Sequence, residues 1–322
     1  MRNLKFIGIS VLISFLFVCL IWQIAEPKIV SALGKACYAI SHRSFIELTT
    51  YDKSGLPMRY YPGAGTFYDP ELIAREASRY YDTRIEPQRL QAFIAESDWL
   101  LAHCDSTGVI AQAYDFPPAK LTQPWLSAPA NTAAMLAIAK RAGYDRDTRK
   151  LVLAKRMLAN IRKAEASSAY YNSDGLLWLK AYPAAENDLQ GMLRGLSDLA
   201  EFYKIAGDSI AGNLFNQGIK NLTTRLPQVE KKGYLEDEYS RLGQRADHRQ
   251  LTQLLSDTSY ATPDSIFKPN VLRYQAKDRI FVVTQMLVRP RFGRICGFLV
   301  AWLLSFLLVY AFLRVPRKNL TI

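Results

Sequence analysis

The sequence predicts an all-α protein built of antiparallel helical hairpins and flanked by two transmembrane helices. Three observations lead there. Apolar residues recur at helical spacing through the middle of the chain. The segments that show this are separated by short polar turns and two longer loops, Cys104–Pro129 and Ala166–Glu186. Two uncharged apolar runs lie near the ends.

The first run, Phe6–Ile24 (FIGISVLISFLFVCLIWQI), is close to the ~20 apolar residues that cross a hydrocarbon core. No small-x-small cleavage site follows, and the chain continues through Ala25, Glu26 and Pro27, which reads as an anchor and not as a removed leader. Residues 28–60 are mixed, with alternation in Ser44–Thr50 and a turn at Asp52–Gly55, so a small strand pair or an irregular connector is expected. Pro70 and Pro87 then open helices running to Tyr81 and His103, each proline sitting where its missing N–H costs nothing. Helical spacing continues over Asn131–Ala142, Asp147–Glu165, Asn187–Ala206, Ser209–Leu226, His248–Leu255 and Asn270–Met286. The second apolar run, Ile295–Leu313, closes the series. The implied division is 1–27 for the cytoplasmic end and first span, 28–60 for the connector, 61–288 for the helical domain, and 289–322 for the second span and basic tail.

Flanking charge orients the chain. Arg2 and Lys5 precede the first span and Arg314, Arg317 and Lys318 follow the second, which puts both ends in the cytoplasm and residues 28–288 outside it, although Arg289, Arg291 and Arg294 crowd the other end of the second span. The expected location is a membrane, a bacterial inner membrane, with the main domain exocytoplasmic. The 322-residue chain carries 41 Lys and Arg against 29 Asp and Glu, a net charge of +12. Lys155-Arg156, Arg162-Lys163 and Lys231-Lys232 are either solvated helix faces or sites for an anionic partner, either membrane lipid headgroups or an acidic polysaccharide. No nucleic-acid recognition motif is present, and no nucleic-acid partner is expected. Cys19 and Cys296 lie in the apolar runs; Cys37 and Cys104 are a candidate disulfide in an oxidising compartment. With three histidines and no Gly-rich phosphate loop, GxSxG, CxxC or HExxH, neither a metal nor a cofactor is expected.

Gly175–Asp208 (GLLWLKAYPAAENDLQGMLRGLSDLAEFYKIAGD) resembles the core signature of the glucuronyl C5-epimerase C-terminal domain, an aromatic loop ending in Tyr-Pro before a helix of the form NGxxxxLxGLxDL. The matching residues are Trp178, Tyr182, Pro183, Asn187, Leu193, Gly195, Leu196, Asp198, Leu199, Gly207 and Asp208. Gln123–Arg141, Asp247–Ser256 and Tyr61–Tyr81 are similar to further segments of that family, in the same order. The resemblance implies an incomplete α/α toroid whose loop-bearing end grips a sugar chain. It also implies C5 epimerisation of uronate residues in a polysaccharide, with partners among polysaccharide synthesis or export proteins.

Epimerisation removes a proton α to a carboxylate and returns one on the opposite face, so it needs two acid/base groups and cations or donors for the developing charge. The resemblance makes Tyr182 the first candidate, with Lys180-Ala181 standing where the family has its acidic partner and Glu186 or Asp188 nearby in sequence. Tyr234, Tyr239 and His248 are further proton-handling candidates. For binding, Trp125 and Trp178 are sugar platforms or core anchors, Asn187 and Asp188 head the signature helix, and Arg194 and Arg241 are candidate carboxylate clamps. Two alternatives stand beside the epimerase: a non-catalytic carbohydrate-binding or assembly subunit using the same groove, and a polysaccharide lyase or hydrolase on the same scaffold.

Overall fold

Proline and short polar side chains decide where the helices start, and the computed structural model shows this at successive helices. It describes residues 2–163, 169–231, 234–235, 244–261, 267–278 and 292–314. The elements are α1 (Arg2–Ser41), β1 (Leu48–Tyr51), β2 (Pro57–Tyr61), β3 (Gly65–Phe67), α2 (Pro70–Asp82), α3 (Pro87–His103), α4 (Ala128–Asp145), α5 (Thr148–Lys163), α6 (Leu189–Ala206), α7 (Ser209–Arg225), β4 (Glu230–Lys231), β5 (Tyr234–Leu235), α8 (Gln244–Tyr260), α9 (Lys268–Asp278) and α10 (Phe292–Arg314). Asp69 caps α2 by accepting from the Glu71 and Leu72 N–H groups, Ser127 caps α4, Asp188 caps α6 and Asp208 caps α7. Gly207 ends α6 at φ +59°, a left-handed conformation that costs glycine little.

The helix starts differ from the expected ones for local reasons. Helix α4 begins at Ala128 and not at Asn131, because Ser127 caps it and Asn131 turns its amide back to the loop, exchanging hydrogen bonds with Ile110 N and O at 3.0 Å each. Asp188 is spent as a cap, so α6 begins at Leu189, two residues past Asn187. Helix α8 is longer than expected at both ends. The second half of the expected Asn270–Met286 helix lies outside the described residues, as do 164–165 of the expected Asp147–Glu165 helix. The connector expected from residue 28 is helical through Ser41, as part of α1. Strands β1, β2 and β3 then form an antiparallel meander, with Thr49 opposite Arg59 and Arg59 opposite Phe67.

The chain divides into two compact units. In the larger, Cys37–Asp278, four hairpins follow one another: α2 packs on α3, α4 on α5, α6 on α7 and α8 on α9. Helices α2, α4, α6 and α8 also pack successively side by side, forming one layer with the hairpin partners behind. Helix α4 is buried continuously from Ala128 to Ala142, and its many alanines in that stretch let α2, α5 and α6 approach it together. Ile73, Met135, Leu193, Leu196 and Leu255 fill the core between the layers. Cys37 and Cys104 do not pair; both are free thiols, Cys37 exposed near the end of α1 and Cys104 half-buried at the end of α3.

The smaller unit contains α1 as far as Ala36 and α10. Phe15, Val18 and Cys19 pack on Phe298, Ala301 and Trp302, and the Trp302 indole donates to the Ser14 hydroxyl at 3.2 Å. Leu12, Ile13, Leu16 and Phe17 of α1 and Leu303, Leu304, Leu307 and Leu308 of α10 are exposed. Both expected membrane runs fall in these helices, but among the described residues no helix is long and apolar enough to cross a membrane.

Candidate functional site

The meander β1–β3 and the two long loops each lead into the first turn of α2, α4 or α6, so they collect at one end of the layer those helices form. Backbone bonds tie them together. Gln112 N donates to Trp125 O at 2.8 Å, closing the first loop on itself, and Ala128 N donates to Lys180 O at 2.9 Å, joining the second loop to the start of α4. At this junction Tyr61, Phe116, Ala119 and Trp125 form a separate buried cluster, with Phe67, Tyr114 and Tyr182 packed against it. Tyr182 stacks on Phe116 with centroids 5.0 Å apart and planes 7° from parallel, and lies 6.0 Å from Trp125. Tyr114 stacks on Phe67 at 3.6 Å and meets Trp125 edge-on at 5.4 Å. The Trp125 indole donates to Tyr114 O at 2.9 Å, which locks the ring in place.

A charged network on the layer α2–α4–α6 adjoins these rings. Arg59 of β2 donates from Nη1 to Glu47 at 2.7 Å, and its Nε lies 2.5 Å from Asp69. Glu71 holds Arg75 at 2.8 Å and Arg194 at 2.9 Å; Arg75 reaches Asp198 at 3.2 Å, and Asp198 accepts from Thr132 at 2.8 Å. Burial pushes the Glu71 carboxyl up, but Arg194, Arg75 and Arg59 overcome this and hold it at about 2. Burial also raises Asp69 and Asp198, against the opposing pull of Arg59 on the first and of Arg75 and Thr132 on the second. Burial pushes the Tyr182 and Tyr114 phenols well above their ordinary value, with Arg59 opposing in each case. Both hydroxyls are therefore neutral at physiological pH, suited to donate a proton or hydrogen bond and poorly suited to act as a base.

The predicted site residues separate into groups. Trp125 and Tyr182, distant in sequence, meet in the aromatic cluster. Trp178 is fully buried with its indole donating to Asp188 O at 3.1 Å, which makes it a core anchor. Asp188 caps α6, accepting from Gly191 N at 2.7 Å and from Ala181 N. A Cβ on Gly191 would meet Asp188 Oδ2 at 2.6 Å and Ala181 N at 2.8 Å, so glycine is what allows the loop to close on the helix. Asn187 is half-buried and its carbonyl accepts from Leu189 N at 2.9 Å. Glu186 accepts from the Ser173 hydroxyl at 3.3 Å and lies 3.8 Å from buried Lys180. Arg194 is paired with Glu71 inside the network. His248 and Tyr234 sit together elsewhere in the domain, ring centroids 5.0 Å apart, where His248 Nδ1 accepts from Leu235 N at 3.0 Å and Nε2 faces Tyr274 O at 3.3 Å. That pattern engages both ring nitrogens with backbone and holds the imidazole in its Nε2–H form. Tyr239 and Arg241 lie outside the described residues.

Sequence reading missed Arg59, Glu47, Glu71, Arg75, Tyr114 and Phe116. Asp198 was legible as part of the GLxDL motif; an isolated arginine in a five-residue strand and two aromatics in an irregular loop give no periodic signal. Among the described residues no group of three or more His, Cys, Asp and Glu is placed to hold a metal ion.

No family description matches the chain, and no curated protein does. Solved structures do: one is a cellobiose 2-epimerase from Spirochaeta thermophila DSM 6192, at 14% identity and a TM-score of 0.46 over 65% of this chain. The match spans 58% of that protein's length. That protein is a cellobiose epimerase, not one of the glucuronyl C5-epimerases that the sequence signature resembles.

Proposed function

We propose that the loop-bearing end of the hairpin layer binds a saccharide against the half-buried Tyr182 ring, which the buried Phe116 and Trp125 rings back, and that α1 and α10 anchor the protein in a membrane with this domain outside the cytoplasm. The observation that carries the saccharide reading is the convergence of two loops, one ending in Trp125 and the other containing Tyr182, on stacked rings beside an arginine and several carboxylates. Apolar ring faces with a few placed polar groups suit a sugar, whose C–H faces are apolar and whose hydroxyls both donate and accept. Saccharide titration of the full-length protein, followed by saturation-transfer NMR, tests this; the Tyr182→Ala protein, shown folded by its thermal unfolding, should bind about two- to tenfold more weakly, a stacked ring contributing on the order of 0.5–1.5 kcal/mol. No saturation transfer to any sugar would reject the reading.

The anchoring reading rests on the exposed leucines and phenylalanine of α1 and α10 together with the two uncharged runs in the sequence. Topology reporters fused at residue 150 and at the C-terminus should report opposite sides of the membrane. The same side for both would reject it. Membrane lipids are then obligatory partners, and proteins of polysaccharide synthesis or export are the partner class the resemblance suggests.

A second reading, proton transfer at a sugar carbon, takes the neutral Tyr182 hydroxyl beside Arg59 as the acid that returns a proton and leaves its removal to a separate base, Glu186 being the candidate carboxylate in the same loop. The resemblance would direct such a transfer to C5 of a uronate in an acidic polysaccharide, a substrate that the carboxylates already paired with Arg59 disfavour. Deuterium incorporation at carbon in heavy water distinguishes an enzyme from a binder. Uptake with inversion identifies an epimerase, an unsaturated product a lyase, and no uptake leaves binding alone.

A further inference from the structure

The charges around the aromatic cluster bear on what kind of sugar fits it. This step rests on the saccharide reading and specifies its substrate class. Arg59 is the cation that acts on both tyrosine hydroxyls of the cluster, and its neighbours have already engaged it: Glu47 at 2.7 Å on Nη1 and Asp69 at 2.5 Å from Nε. The other groups acting on Tyr182 include Glu47 and Asp188, and those acting on Tyr114 include Asp69 and Glu71. Behind them Arg75 and Arg194 are committed to Glu71 and Asp198, and Lys180 faces Glu186. Counted together, Arg59, Arg75, Arg194 and Lys180 stand against Glu47, Asp69, Glu71, Asp188, Asp198 and Glu186. In a chain of net charge +12, these named groups hold six carboxylates against four cations.

A sugar carboxylate entering here would meet like charge and an arginine already ion-paired with two carboxylates. On Arg59 it would either displace Glu47 or join Glu47 and Asp69 as a third anion around one cation, and each neighbouring like charge disfavours the ionised carboxylate. A neutral sugar meets neither cost. We infer that the site takes an uncharged saccharide, and that Glu47 is the specificity-determining residue that closes Arg59 to a uronate. Glu47 is suited to this role by position. It precedes β1, where its side chain is 31% exposed and that of Arg59 22%, so the pair lies at the surface of the network and not in its interior. Asp69, the other partner of Arg59, is 6% exposed and fixed as the cap of α2.

The test presents full-length protein in detergent with an array of neutral oligosaccharides and their C6-oxidised, carboxylate-bearing counterparts, matched in length and linkage. Wild type should bind neutral members and reject the matched uronates. Glu47→Gln removes one carboxylate while keeping the side chain's shape, and should gain uronate binding by about tenfold or more, with an affinity that falls as salt rises, because a charge-assisted bond to Arg59 is worth on the order of 1.5–3 kcal/mol. Glu47→Asp retains the charge and should keep the wild-type preference, which separates charge from folding. Wild-type binding confined to uronates and weakened by salt would overturn the inference while leaving the saccharide reading standing. Absence of uronate gain in a folded Glu47→Gln protein would remove Glu47 from its assigned role. Silence across the whole array would overturn the saccharide reading itself, and the inference with it.

Discussion

Replacing Glu96 by glutamine should abolish a loss of stability that the wild-type domain suffers as pH rises through neutrality. Glu96 lies on α3 at the seam with α2, 2% exposed, and among the described residues its Oε2 has no hydrogen-bond partner. Burial, reinforced by Glu76 and only partly offset by Arg79, raises its carboxyl from 4.5 to about 8. The groups facing it are Glu76 and Arg79 of α2, themselves paired, and Tyr51 of β1, whose phenol is raised in turn by burial and by Glu76. The folded state therefore holds a proton that the unfolded chain releases at lower pH. Below the unfolded value both states are protonated and there is no penalty. Between the two values stability falls by ~1.4 kcal/mol per pH unit, and above about 8 the full cost is in place. The upper limit is ~5 kcal/mol, since the shift is about three and a half units and each is worth ~1.4 kcal/mol. Thermal unfolding of wild type and Glu96→Gln between pH 4 and 9.5 measures this as a difference curve, with ~2–4 °C expected per kcal/mol for a domain of this size. A difference that stays flat from pH 5 to pH 8, or that favours wild type more strongly as pH rises, would refute the assignment of a buried neutral acid.

Other expectations follow from the network and the loop. Asp198→Asn removes one of the two carboxylates paired with Arg75, which keeps Glu71, and should cost about 1–2 kcal/mol, visible as a lowered denaturation midpoint with unchanged slope. Gly191→Ala places a methyl group against Asp188 Oδ2 and the Ala181 backbone and should destabilise by ~1–3 kcal/mol, which chemical denaturation would register; a neutral result would mean the loop is free to move aside. Tyr182→Phe keeps the stack on Phe116, so stability should change by less than ~1 kcal/mol while any carbon-bound proton exchange falls ~10²–10⁴-fold. Full exchange in that variant would remove Tyr182 from the chemistry.

The hairpin order was legible because it depends on local signals. Proline in the first turn, polar caps and 3.6-residue apolar spacing are properties of short windows, and Pro87–His103 was readable to the residue. The misjudged starts came from side chains used twice: Asn131 belongs to α4 and to the loop at Ile110, and Asp188 looked like a candidate ligand while serving as a cap. Trp178 and His248 show the same limit at the site. An aromatic in a loop and a lone histidine in a helix read as chemistry in sequence, whereas burial and backbone partners make one a core anchor and engage both nitrogens of the other.

By itself the sequence determined the all-α class, the order of the helices, the apolar character of α1 and α10 and the meeting place implied by the two long loops. Tertiary structure alone decided which rings touch, that Arg59 rather than Arg194 adjoins them, and that Glu47 and Asp69 occupy its charge. The reason is range. Helix periodicity and capping act over a few residues of chain, while ring stacking and ion pairing join groups brought together from separate elements, such as Phe116 with Tyr182 and Arg75 with Asp198, whose distances no local window contains.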